Sequence, residues 1–131
     1  MPYHRNGASL IKGMCRRNIY QSTIKYHNKQ TEIDGIVFDS RKEAMRWHEL
    51  KLMERAGLIS DLRRQVPFSL IPNLKDSSGR VIERAVKYIA DFCYIQDGVA
   101  VVEDVKGLRT REYVLKRKMM LYFHGIRVKE I

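Results

Sequence analysis

A small α+β domain, a mixed sheet flanked by helices, is the fold class this sequence predicts. Three observations predict it. Ser40 to Gly57 has the pattern of an amphipathic helix with both of its end signals. Leu62 to Gly107 is a succession of β-type runs separated by turn residues. A second helix pattern, Thr110 to Gly125, leads into an alternating segment, Ile126 to Ile131. A strand, then a helix, then a strand implies a right-handed crossover and a parallel neighbour, which makes the sheet mixed.

Residues 1–30 contain Arg5, Lys12, Arg16, Arg17, Lys25 and Lys29 and no Asp or Glu, and read as a basic N-terminal arm with a short helix near Leu10 to Tyr20. Such an arm either lies along a phosphate backbone or frays. Residues 31–131 form the folded domain. Thr31 to Phe38 predicts a hairpin around Asp34-Gly35. Ser40 with Glu43 three residues on is a capping box, Gly57 suits a left-handed helix end, and Ala44, Trp47, Leu50, Leu52 and Met53 make the buried side. Leu62 to Ile71 is β-like, with Pro67 arguing for an edge strand or a strand start, and Pro72 to Arg80 is a turn-rich loop. Val81 to Tyr94 continues as a long strand, Gln96-Asp97-Gly98 turns, and Val99 to Lys106 returns. These three strands form an antiparallel meander. Thr110 caps the second helix, in which Val114, Leu115, Met119 and Tyr122 recur at helical spacing. Tyr88, Phe92, Tyr94, Tyr113 and Tyr122 fall in these patterns as core rather than as stacking platforms for bases.

The 131 residues hold 25 Lys and Arg against 15 Asp and Glu, a net charge of +10. That excess favours a polyanionic partner, nucleic acid rather than a membrane, because no basic amphipathic anchor stands out. The bland alternative is a solvated basic surface. Cys15 and Cys93 are far apart and suggest neither a disulfide framework nor a zinc site, which points to a reduced, cytoplasmic protein. No apolar run is long enough to span a bilayer, and His4, His27, His48 and His124 share no ligand spacing.

Two acids interrupt the apolar strands. Side chains alternate across a strand, so Asp104 and Lys106 share one face while Glu103 takes the other. An antiparallel hairpin can set Asp91 beside Asp104, and two acids placed so call for a cation. Magnesium takes oxygen ligands, keeps several waters and uses one or two carboxylates, which suits Asp91 and Asp104 with the backbone carbonyl of Val105. Lys106 can hold a nucleophilic water or offset charge on a phosphate. The spacing of Glu43 from Ser40 explains it fully as a cap, and a catalytic acid at a helix start, reaching the metal directly or through water, would look the same; Gln65 and Glu103 are supporting candidates. The competing explanation is an exposed ion pair that needs no metal.

The segments YIADF and VVEDVKG resemble the PD-(D/E)XK nuclease pattern, with Ala90-Asp91 in the "PD" place and Asp104-Val105-Lys106 in the "(D/E)XK" place. From about Lys25 onward, KYHNKQTEIDGIVFDSRKEAMRWHELKLME and QVPFSLIP resemble a family of small phage and prophage proteins assigned to that superfamily. Ala90 departs from the pattern's Pro. The resemblance implies a restriction-endonuclease-like αβββαβ core, magnesium-dependent cleavage of DNA with manganese as a substitute, Glu43 as the helix-borne acid, and a phage-encoded protein working in the bacterial cytoplasm. Holliday junctions or other branched DNA are the expected substrate in recombination or packaging, cut by a homodimer because two symmetric incisions need two sites. Arg16, Arg17, Lys25, Lys29, Arg109, Arg111, Lys116 and Lys118 are the expected phosphate contacts. Two alternatives stand beside this: a non-catalytic DNA-binding module on the same fold, and an RNA- or ribosome-associated basic protein.

Overall fold

The structure is a computed structural model that describes residues 29–131. Arg16, Arg17, Lys25, Cys15 and the helix expected near Leu10 to Tyr20 lie outside the described residues. A division into compact units falls between Arg41 and Lys42. Before it, β1 (Thr31–Ile33) and β2 (Ile36–Phe38) pair as an antiparallel hairpin. Its turn puts Asp34 at φ 53° and Gly35 at φ 76°, the two left-handed residues of a type I′ turn.

Lys42–Ile131 carries the main sheet. The helix α1 (Arg41–Arg55) starts directly after Ser40 and ends in a Schellman motif: Gly57, at φ 74°, donates to the Glu54 carbonyl, and Leu58 donates to that of Met53. The strands are β3 (Ser60–Ile71), β4 (Leu74–Lys75), β5 (Val81–Glu83), β6 (Val86–Gln96), β7 (Val99–Asp104) and β8 (Lys129–Glu130), with α2 (Arg111–His124) between the last two. The four-stranded sheet runs β3-β6-β7-β8, antiparallel except for the parallel β7–β8 pair. The fold is therefore α+β with a mixed sheet and two helices among the described residues.

Local signals account for most of this. Asp97 and Gly98, at φ 51° and 76°, make a second type I′ turn whose twist matches the β6–β7 hairpin. Thr110 Oγ1 accepts from the Tyr113 amide at 3.1 Å, and Gly125 closes α2 in the left-handed region. Pro67 sits in β3, an edge strand, as its missing N–H requires.

Several expectations need correction. Val81 to Tyr94 is not one strand: β5 pairs with β4 in a small separate sheet, so part of the expected loop is also strand. The break at Arg84-Ala85 is held by the Asn73 side chain, which accepts from the Ala85 amide at 2.7 Å. The strand Val99 to Lys106 ends at Asp104, and the last strand covers only Lys129–Glu130. On α1 Leu52 is exposed. On α2 the buried residues are Tyr113 and Met120, while Leu115 and Tyr122 are exposed, so Tyr122 is not core. Apolar residues nearly encircle α2, and its spacing alone does not select the inner face.

The core lies on both faces of the sheet. Leu70, Tyr88, Ala90 and Val102 pack with Tyr113 and Met120 of α2. Phe92 instead stacks on Trp47 of α1, ring centroids 5.8 Å apart. Strand β6 thus serves two layers, and Asp91 falls where it changes from one to the other.

Candidate active site

Asp91 and Asp104 lie one step beyond the last ladder pair of β6 and β7, Phe92 with Glu103. There the strands part, and the freed Val105 amide donates to Asp91 Oδ2 at 2.8 Å. Opposite Asp91, between the pairs Arg64–Phe92 and Val66–Ala90, is Gln65. Its φ of 49° is uncommon for a residue with a side chain, and such conformations collect at functional sites. Gln65 Nε2 stands 3.4 Å from both Asp91 Oδ1 and Glu43 Oε1, so one amide links the strand acid to the helix acid. Glu43 is buried in the first turn of α1.

Asp104 is 2% exposed. Tyr88 donates to its Oδ2 at 2.6 Å. Its Oδ1 is buried, accepts no hydrogen bond, and meets Lys106 Nζ at 2.9 Å. The Lys106 ammonium also lies over the Tyr113 ring, 4.3 Å from the centroid, so α2 fixes it from one side.

These groups sense one another. Burial pushes the Asp91 carboxyl up to about 6; the charges of Asp104 and Glu43 add to the rise, while the Val105 amide and Lys106 oppose it. Burial and the bond to Asp104 push the Tyr88 hydroxyl far up, so it stays a proton donor. For Asp91 the sign is that of a raised carboxyl. The folded state holds a proton that the unfolded chain has released, so metal-free protein loses stability as pH climbs from 3.8 toward about 6. Asp91→Asn keeps an oxygen for the Val105 amide and removes the charge. In chelator it is expected to flatten that decline and to raise stability at neutral pH by on the order of 1 kcal/mol, the shift being discounted for partial exposure. Urea midpoints of the two proteins that track each other from acid to neutral pH would refute this.

Glu103 has a different fate from its neighbour. Fully buried, it receives Arg46 Nε at 2.9 Å and Nη2 at 2.6 Å, a hydrogen bond from Tyr94, and Lys129 Nζ at 3.7 Å. Burial alone raises its carboxyl, yet the bonds from Arg46 and Tyr94 carry it below the usual range. As a supporting metal ligand Glu103 is corrected: its oxygens belong to Arg46.

A family model matches residues 23–130, the span that includes Glu43, Gln65, Asp91, Asp104 and Lys106. The chain belongs to the DUF1064 family. That family is described as protein of unknown function, and no curated protein is similar to this DUF1064 chain.

The structure brings together Glu43, Gln65, Asp91, Asp104 and Lys106 and separates Glu103. For Val105 it is the amide that makes a contact, with Asp91. Among the described residues no three His, Cys, Asp or Glu side chains are close enough to hold an ion by protein ligands alone. Magnesium asks less, one or two carboxylates with water and substrate oxygens. Asp104 Oδ1, which meets only the Lys106 ammonium, and Asp91 Oδ1, with its long 3.4 Å contact to Gln65, are oxygens of that kind, so the donor set fits a hard cation.

Of the expected phosphate contacts in this DUF1064 chain, Lys29, Arg111 and Lys118 are exposed, Arg109 is tied to Glu130, and Lys116 pairs with Glu112 at 3.0 Å. Sequence reasoning missed Tyr88 and Arg46. Arg46 was findable: a buried acid on the face opposite Asp104 needs a cation, and Arg46 is one helical turn beyond Glu43.

Proposed function

We propose that this chain is a magnesium-dependent DNA endonuclease whose metal is held by Asp91 and Asp104, with Glu43 close by and Lys106 at the reacting phosphate. One observation carries the reading: Asp104 Oδ1, buried and without a hydrogen bond, lies 2.9 Å from Lys106 Nζ and next to a second acid whose carboxyl is raised to about 6. Its partner, the partly exposed Lys106 ammonium, can turn to water and release that oxygen to a cation. The order α1-β3-β6-β7-α2-β8, interrupted only by the small β4–β5 sheet, and the resemblance of YIADF and VVEDVKG to the PD-(D/E)XK pattern support the same reading.

A bound magnesium supplies Lewis acidity toward the phosphate and a water nucleophile at neutral pH, and manganese can replace it. The chain supplies the rest. Tyr88 and the Val105 amide fix one oxygen each of Asp104 and Asp91, so the other two oxygens, which face Lys106 and Gln65, are oriented before substrate arrives. The Gln65 amide holds Glu43 at a set position relative to Asp91. Lys106, steadied by the Tyr113 ring, sets positive charge against the charge that grows on the phosphate during attack.

Cleavage of a labelled four-way junction, a flap and a linear duplex tests the reading. Magnesium-dependent cutting with a preference for the junction is expected, lost in chelator, from a homodimer with one site per incised strand. Salt-sensitive binding with no cutting of any substrate in magnesium or manganese would replace the nuclease by a DNA-binding module.

A further inference from the structure

A groove of about 580 Å³ runs between α2 and β8, apart from the acidic cluster. Its walls carry Arg109, Arg117, Lys118, Arg127 and Lys129, five cations against the single carboxylate of Glu130. A second recess of about 550 Å³ shares Arg109 and Glu130 with the first and adds Lys42 and Lys106. The two join at that shared pair, and Glu130 is the register partner of Asp104 across β7 and β8. The basic groove thus begins one strand away from the candidate metal ligand.

Glu130 organises the groove rather than cancelling it. It accepts from Arg109 Nε at 2.6 Å and from the Tyr113 hydroxyl at 3.1 Å, and it pairs with Arg117. Arg117 first, then Tyr113 and Arg109, hold its carboxyl below the usual range. Two guanidinium groups are so fixed in place with donors to spare. Lys118 and Arg127 pair with no carboxylate among the described residues.

Extent argues for a chain of anions over a single one. The lining of α2 runs from Arg117 to Leu121, a rise of about 6 Å over which one strand of a duplex presents about two phosphates, and Arg109, Arg127 and Lys129 extend the cationic wall beyond the helix. A lone phosphate would need one focus, not cations spread along a helix and a strand. We propose that the groove holds the phosphodiester backbone of a nucleic acid on one side of the bond presented to Asp104 and Lys106. The placement of that bond rests on the nuclease reading; the binding does not.

The test is anisotropy of a short labelled DNA duplex in chelator across a range of salt, so that nothing is cut. Neutralising Lys118 and Arg127 together (Lys118→Ala with Arg127→Ala) leaves no carboxylate stranded. It is expected to reduce the slope of log affinity against log salt by about 2. Lys75→Ala with Lys87→Ala removes two exposed cations outside the groove and should leave the slope unchanged. No DNA binding, an unchanged slope in the groove variant, or an equal fall in the control would overturn the proposal. Cutting in magnesium is read separately, so wild-type protein that binds through the groove and cuts nothing refutes the nuclease reading alone.

Discussion

Replacing Arg46 with alanine lowers the unfolding free energy by about 3 kcal/mol, the lower end of the cost of leaving a buried charge without its partner. Glu103 is 0% exposed, and Arg46 supplies two hydrogen bonds and the nearest positive charge. After substitution only Tyr94 and the distant Lys129 remain, and Lys129 cannot approach without leaving solvent. The penalty is one of mismatch, not a measure of what the pair adds. A buried ion pair exchanged for apolar groups of similar volume is often neutral. The double variant Arg46→Met with Glu103→Leu therefore recovers most of the loss. Urea unfolding of the three proteins decides it, and a single variant within about 0.5 kcal/mol of wild type, the range of ordinary surface changes, would show that Glu103 is satisfied otherwise.

Asp104→Asn has the opposite profile. Cleavage in magnesium is expected to fall about 1000-fold or more, the scale of losing a group that acts in the transition state. Stability changes little, because the amide oxygen still accepts from Tyr88 and the Lys106 side chain, 30% exposed, can turn to water. Glu103→Gln reverses the pattern: it removes the charge that Arg46 faces and destabilises the fold, while molecules that remain folded cut at nearly the wild-type rate. Single-turnover rates and urea midpoints on the same preparations separate the two acids. A large loss of cleavage in Glu103→Gln with Asp104→Asn still active would exchange their roles.

What was legible in the sequence was local. The type I′ turns at Asp34-Gly35 and Asp97-Gly98, the Thr110 cap and the Gly57 and Gly125 helix ends depend on a few adjacent residues. Strand alternation put Asp104 and Lys106 on one face and set Glu103 apart, and their 2.9 Å ion pair agrees with it. The double role of Gln65 depends on residues far apart in the chain and on a left-handed φ inside a strand, which no propensity favours. The inner face of α2 was hidden by apolar residues on several sides. The separation of β5 from β6 turns on Asn73 reaching across to Ala85, a tertiary contact.

The two borders of the four-stranded sheet are both poor templates. At one, β3 carries Pro67, which offers no N–H, and the left-handed residues Asp61 and Gln65 break its straight run. At the other, β8 is two residues long. Among the described residues, neither border offers a strand from a neighbouring molecule an uninterrupted row of backbone groups to zip onto. Crowded copies of this protein are protected from merging into shared sheets, and the kink that aims Gln65 between its two acids provides part of that protection.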